Sequence, residues 1–168
     1  MVGKNVSLQR WPVDARFYLD ECFGYQIAEA LSMVDYPITW PYREGKIGAK
    51  DEALIPWLAE QKLVWITRDA AARRAHGPLI RKHGLSVLWI RGVQREKRGS
   101  VEQHVSTHDV HLLLTNELVN FAEHLRAARG RPRHGVIYLS GATPTLKRVD
   151  TELIDQGNPL KVVGSWRD

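Results

Sequence analysis

The chain has a single cysteine, Cys22, among its 168 residues. That excludes an internal disulfide and any zinc cluster built on cysteine thiolates. No apolar run approaches the roughly 20 residues a membrane helix needs, and no amino-terminal stretch has a signal peptide's apolar centre. The expectation is a soluble, cytoplasmic protein with no membrane partner. Repeats and low-complexity segments are also missing. Gly45-Lys46-Ile47-Gly48 lacks the glycine spacing of a phosphate-cradling loop. Ser140-Gly141 and Cys22 lack the elbow or partner pattern of a nucleophile. Acidic residues are outnumbered, 19 against 24 Lys and Arg, for a formal charge of +5. A basic balance of this size favours an anionic partner such as nucleic acid.

An apolar fraction of 43% and a charged fraction of 26% are those of a folded chain, so bulk disorder is excluded. The length predicts one domain spanning 1–168. Arg16 to Leu19, Leu63 to Ile66 and Leu85 to Ile90 read as buried strands. Phe23, Ile27, Leu31 and Val34 fall at helical spacing, and Asp51 is placed to cap a helix reaching about Gln61. Pro56 should bend or shorten that helix. Ala70 to Lys82 is helical in composition but interrupted at Gly77-Pro78. Pro37 and Pro41 leave room only for a short or edge strand at 36–42.

Arg91 to Ser100 is charged and glycine-flanked, which predicts a loop or linker. Ser106 and Asp109 resemble a capping pair for a helix from Thr107 to Ala128. Its apolar stripe is Val110, Leu114, Leu118, Phe121 and Leu125. After the basic loop Arg129 to His134, Val136 to Leu139 is a candidate last strand. Alternating strands and helices predict an α/β fold, with a largely parallel sheet covered by helices.

Three carboxylates stand at the element boundaries of this pattern. Asp20 closes the first strand, Asp51 opens a helix, and Asp69 follows the strand ending at Ile66-Thr67-Arg68. In open α/β sheets ligands bind beyond the carboxyl ends of the strands, where the strand order reverses. Carboxylates gathered there repel one another unless a cation sits between them, and a divalent ion with oxygen ligands suits that place. Each acid also has a structural reading, Asp51 as a helix cap and Asp20 and Asp69 as turn formers. Arg43, Lys46 and Lys50 precede the second acid, and Arg73 and Arg74 follow the third. All five are candidates to grip phosphates. Arg91, Arg95, Lys97 and Arg98 are candidates for an arm over nucleic acid or for a contact with an acidic partner. His104, His108 and His111 lack a fourth ligand and read as helix-surface residues. Trp57, Trp65 and Trp89 fit core positions, while Trp40, between prolines, is the candidate for stacking on a base.

The segments Phe17-Tyr18-Leu19-Asp20-Glu21, Ala49-Lys50-Asp51-Glu52 and Val64-Trp65-Ile66-Thr67-Arg68-Asp69 together resemble the PIN-like domains. This is the nuclease fold of VapC-type toxins, and the similarity is closest to its compact Asp-Glu-Asn, Thr-Arg-Asp branch. It covers about residues 16–92, with 93–168 completing the fold. The resemblance implies a PIN-like three-layer sandwich and an Mg²⁺- or Mn²⁺-dependent ribonuclease. Asp20, Asp51 and Asp69 would hold the metal, with Glu52 and Glu21 as further candidates. Thr67 would steady a water or carboxylate, and Arg68 would contact phosphate or pair with a carboxylate. It further implies an RNA substrate, a small antitoxin protein and self-association. The family's later acid is replaced here by Ala70-Ala71-Ala72, with no Asp or Glu between Asp69 and Glu96, and Cys22 stands where the branch has asparagine. These departures point to a single-metal site. The alternative is a catalytically inactive module of the same shape that binds nucleic acid or a protein, and a DNA nuclease would share the chemistry.

Overall fold

The sheet is organised around β1 (Arg16–Leu19), the first strand and one of its most buried. A computed structural model describes residues 14–96, 99–102, 105–140, 143–149 and 162–165. Lys97, Arg98, His104, Trp11 and Trp166 lie outside the described residues, as do the side chains of Arg73 and Arg95. From β1 the chain passes through a 3-10 turn (Glu21–Phe23) and α1 (Tyr25–Met33) to β2 (Ile38–Thr39). It returns through α2 (Asp51–Glu60) to β3 (Leu63–Thr67), on the other side of β1. Next come α3 (Ala70–His83), β4 (Val87–Glu96), β5 (Gly99–Glu102) and α4 (Thr107–Ala127). β6 (His134–Ser140), β7 (Thr143–Val149) and β8 (Val162–Ser165) close the described sheet.

The strand order is β2-β1-β3-β4-β6-β7-β8, with β5 paired to β4. β2, β1, β3, β4 and β6 are mutually parallel, whereas β7 and β8 continue by antiparallel pairing. Strand order therefore reverses at β1, and the crevice expected of such sheets lies beyond the ends of β1 and β3. Alternation along the strands splits the core into two halves. Phe17, Leu19, Val64, Ile66, Leu88, Ile90 and Ile137 pack against α1 and α4. Tyr18, Trp65, Val87, Trp89 and Val136 pack against α2 and α3. The result is a three-layer α/β sandwich with a mostly parallel sheet. Among the described residues no helix is long and apolar enough to cross a membrane.

Several boundaries differ from the sequence reading. α3 runs unbroken through Gly77-Pro78, because Asp69 caps its start and left-handed Gly84 ends it. α2 likewise reaches Glu60 through Pro56. Val34 is at the end of α1 and 63% exposed, so it leaves the apolar face that Ile27 and Leu31 form. The charged segment after Arg91 is no loop. It prolongs β4 and folds back in an antiparallel ladder from Val93↔Glu102 to Glu96↔Gly99. Ladder pairing satisfies the backbone there whatever the side-chain charge. β6 is followed by β7 and β8, so it is not the last strand. Two expectations hold in detail. β2 has two residues at the sheet edge, and Ser106 and Asp109 form a reciprocal capping box on α4.

α4 lies tightly on the sheet at Gly135. A Cβ there would come 2.9 Å from Phe121 Cε2 and 3.2 Å from Leu88 Cδ1, both on fully buried side chains. Gly135→Ala is expected to lower the unfolding free energy by about 2 kcal/mol through overpacking. Urea denaturation checks this, and a wild-type midpoint would show that α4 rests less firmly on β6.

Candidate functional site

The ends of β1 and β3 are tied together by one hydroxyl. Thr67, fully buried, donates from Oγ1 to Asp20 Oδ2 at 2.6 Å and accepts from the Asp69 amide at 3.0 Å. Asp20 Oδ1 accepts the Glu21 amide at 2.8 Å, and the Asp20 amide donates to the Ile66 carbonyl at 3.0 Å. Thr67 thus steadies a carboxylate, one of the roles expected of it, and burial keeps it away from a substrate. Asp69 caps α3, its Oδ1 accepting the amides of Ala71 at 2.7 Å and Ala72 at 3.0 Å. Its structural role is thus that of a helix cap and not the turn former expected from the sequence.

Asp51 is not the cap the sequence suggests. Lys50 holds the cap position of α2 without a side-chain hydrogen bond, and Asp51 is the first helical residue. Its carboxylate is left to face α3, where Oδ2 meets His76 Nε2 at 3.6 Å. The spacing explains the meeting. Asp51 precedes Leu54, Ile55 and Leu58 on the buried side of α2. His76 falls one turn after Ala72 and one before Ile80 on the buried side of α3. A histidine on an apolar stripe was the available signal, and the sequence reading missed it.

The electrostatics connect these groups. Burial, first, raises the Asp51 carboxyl above its ordinary range. The His76 interaction works against that rise, while the charges of Asp20, Asp69 and Glu52 add to it. Asp20 is raised too, chiefly by burial, with the Thr67 hydroxyl, the Glu21 amide and the Cys22 thiol opposing. The Cys22 thiol is pushed up to about 11 by burial and by Asp20, which leaves it a poor nucleophile. Tyr18, fully buried, is also raised by burial and then by Asp20, Glu21 and Glu44. Its hydroxyl has no hydrogen-bond partner among the described residues.

The remaining candidates have varied positions. Glu21 Oε2 accepts the Gly48 amide at 3.1 Å, pinning the 41–50 loop to the end of β1. Glu44, overlooked in the sequence, accepts from Thr39 Oγ1 at 2.6 Å in the same loop. Glu52 is exposed at the start of α2. Lys46 Nζ lies 4.7 Å from the centroid of the Trp57 ring, and the exposed Arg43 lies 5.4 Å from that of Trp40. Lys50 and Arg74 are exposed. Arg68 is engaged within the protein. Its Nη1 donates to the Val105 carbonyl at 3.1 Å and its guanidinium lies 5.4 Å from the Phe23 ring centroid, fastening the entry of α4 to α1's side. Trp40 is only 8% exposed and packs in the α1–α4 core, so the stacking role assigned to it is corrected. Trp65 and Trp89 are core residues, and Trp57 is packed at the core's edge.

Asp20, Asp51 and Asp69 therefore share one end of the sheet, and the charges of Asp20 and Asp69 act on Asp51. Among the described residues, however, no three His, Cys, Asp or Glu side chains form a group that could hold a metal ion. Only a dication that keeps much of its water could be held by fewer protein ligands than that. Magnesium is commonly bound through one or two carboxylates, with water and substrate phosphate completing its shell. Two carboxyls that are partly buried and raised are what such a charge would relieve. No protein-family model, curated protein or solved structure matches this chain.

Proposed function

We propose that this protein is a PIN-like, Mg²⁺- or Mn²⁺-dependent ribonuclease of the VapC type, working at the crevice beyond β1 and β3. The observation that carries the reading is the position and charge of Asp51. It opens α2 beside the strand-order reversal, and its ionisation is opposed by Asp20 and Asp69. A bound dication would supply Lewis acidity and neutralise charge building on a phosphodiester. Asp20 and Asp51 would hold it, with water and substrate phosphate completing its shell and the Asp69 carboxylate adding negative charge nearby. Thr67 keeps the Asp20 carboxylate aimed, and His76 keeps that of Asp51 aimed from the facing helix. Arg43, Lys46, Lys50 and Arg74 border the crevice as candidates to hold the RNA backbone. The reading extends to a small antitoxin protein covering the crevice and to self-association.

The test is cleavage of a labelled RNA with Mn²⁺ or Mg²⁺ and with chelator. Metal-dependent cleavage that falls at least ~100-fold in Asp20→Asn supports the reading, because transition-state charge stabilisation of this kind is typically worth that much. Absence of metal-dependent cleavage of RNA in wild type overturns it in favour of a non-cleaving module, and cleavage of DNA alone would reassign the substrate. His76→Ala is expected to lower cleavage by roughly 10- to 100-fold, the usual effect of losing a residue that orients a ligand. Unchanged turnover would show that Asp51 needs no such support.

A further inference from the structure

The basic loop before β6 has no part in the crevice, since it lies at the opposite, amino-terminal end of the parallel strands. It is built rigidly. The Arg133 amide donates to Ser86 Oγ at 3.0 Å, and the Arg133 carbonyl accepts the Val87 amide at 3.2 Å. Arg131 folds back on the end of α4, its amide reaching the Ala128 carbonyl at 3.1 Å and its Nε the same oxygen at 3.4 Å. Two arginines separated by one proline are thereby fixed at the start of β6. The neighbouring strand brings a third, because β7 pairs with Gly135 opposite Arg148. Arg133 Nε is buried and has no hydrogen-bond partner among the described residues.

Among the described residues no carboxylate is paired with these arginines. The Arg133 guanidinium is depressed by burial and then by Arg131 and Arg148, with no carboxylate of the described residues acting the other way. His124, in the last turn of α4, is lowered by burial and by Arg133 and Arg148. Glu123 acts in the opposite sense on His124, but its carboxylate is already held by Arg126 at 2.6 Å. Like charges held together in this way destabilise the fold unless an anion joins them. Guanidinium groups match phosphate oxygens with paired donors and stay charged at every physiological pH.

We infer that Arg131, Arg133 and Arg148 form a second anion site, which takes the phosphodiester backbone of a polynucleotide away from the acidic crevice. The choice of polynucleotide over another polyanion rests on the ribonuclease reading. The length of β3 and the spacing of neighbouring strands put the site roughly 15–20 Å from Asp69. It therefore contributes to holding a long RNA and not to the chemistry.

The test measures binding of a fluorescent single-stranded RNA in chelator, so that nothing is cleaved, over a range of salt. Arg131→Gln with Arg148→Gln, both exposed positions, is expected to weaken binding about 10-fold. It should also flatten the logarithmic salt dependence by about 1.4, or about 0.7 for each single-strand phosphate that is no longer neutralised. Arg131→Lys with Arg148→Lys keeps the charge and should retain most of the slope. A glutamine variant with wild-type affinity and slope and an unchanged unfolding midpoint overturns the inference. Equal affinity of wild type for poly-glutamate overturns the assignment to a polynucleotide. If RNA binds through these arginines yet is never cleaved with Mn²⁺, the ribonuclease reading fails and the second site stands. If RNA is cleaved while the variants bind normally, the reverse holds.

Discussion

Thr67→Val is expected to destabilise the protein by about 3 kcal/mol, with a fall in melting temperature of roughly 6–12 °C for a chain of this size. The two residues have nearly the same shape, so packing is preserved and only the hydroxyl is lost. That hydroxyl makes a charge-assisted bond to Asp20 and receives the Asp69 amide, joining the carboxyl ends of β1 and β3. A bond to a charged group is worth about 1.5–3 kcal/mol, and an amide left without an acceptor adds to the loss. Thr67→Ser keeps the hydroxyl and gives up one buried methyl, so its cost should be only about 1 kcal/mol. Urea unfolding of the three proteins separates the explanations. If serine proves the more damaging change, packing and not the strut holds the two strands. Cleavage should fall in valine and survive in serine, because only valine releases the Asp20 carboxylate.

The core strands and the acidic end of the sheet were legible because they depend on short-range patterns. A run such as Leu63 to Ile66 can be covered on both faces only inside a parallel sheet. The order of segments then leads to the crevice, with Asp20 and Asp69 at its edge. Where the reading failed, tertiary contact outweighed local preference. Pro78 lies within a helix whose capping by Asp69 and Gly84, together with burial of Ala72 and Ile80, outweighs the missing hydrogen bond. The segment from Arg91 to Glu96 is charged and still a strand, because its partner, β5, supplies a ladder no local pattern announces.

The site was legible in its acids and obscure in its supports. Asp51 and His76 lie on different helices, and nothing short of the packing of α2 on α3 brings them together. Arg68 has the same chemistry as a phosphate-binding arginine, and its use on the Val105 carbonyl depends on where α4 enters. Trp40 stands between two prolines, which suggested exposure. It packs in the core on the α1–α4 side instead, so proline spacing said nothing about burial.

Asp51→Asn is expected to make the metal-free protein more resistant to heat at neutral pH while reducing metal-dependent cleavage at least ~100-fold. The sign follows from the raised carboxyl. Because the folded state holds this proton more tightly than the unfolded chain, stability from Asp51 is lost as pH rises from 3.8 through the raised folded value. An amide carries no charge to be repelled by Asp20, Asp69 and Glu52, so asparagine removes that decline. Asp20→Asn is a poorer probe, since it deletes one of the two acceptors that Thr67 and the Glu21 amide require. In wild type, Mn²⁺ at about 100 times its Kd should add about 2.7 kcal/mol, or some 5–10 °C, by mass action. In Asp51→Asn most of that shift should vanish. Thermal melts with and without Mn²⁺, at neutral pH and near pH 5, test both halves together. If the variant melts below wild type in chelator, Asp51 supports the fold by its charge and the crevice is not poised for a cation. If it melts higher but keeps the full Mn²⁺ shift, the ion is bound without Asp51 and the ligand set must be redrawn around Asp20 and Asp69.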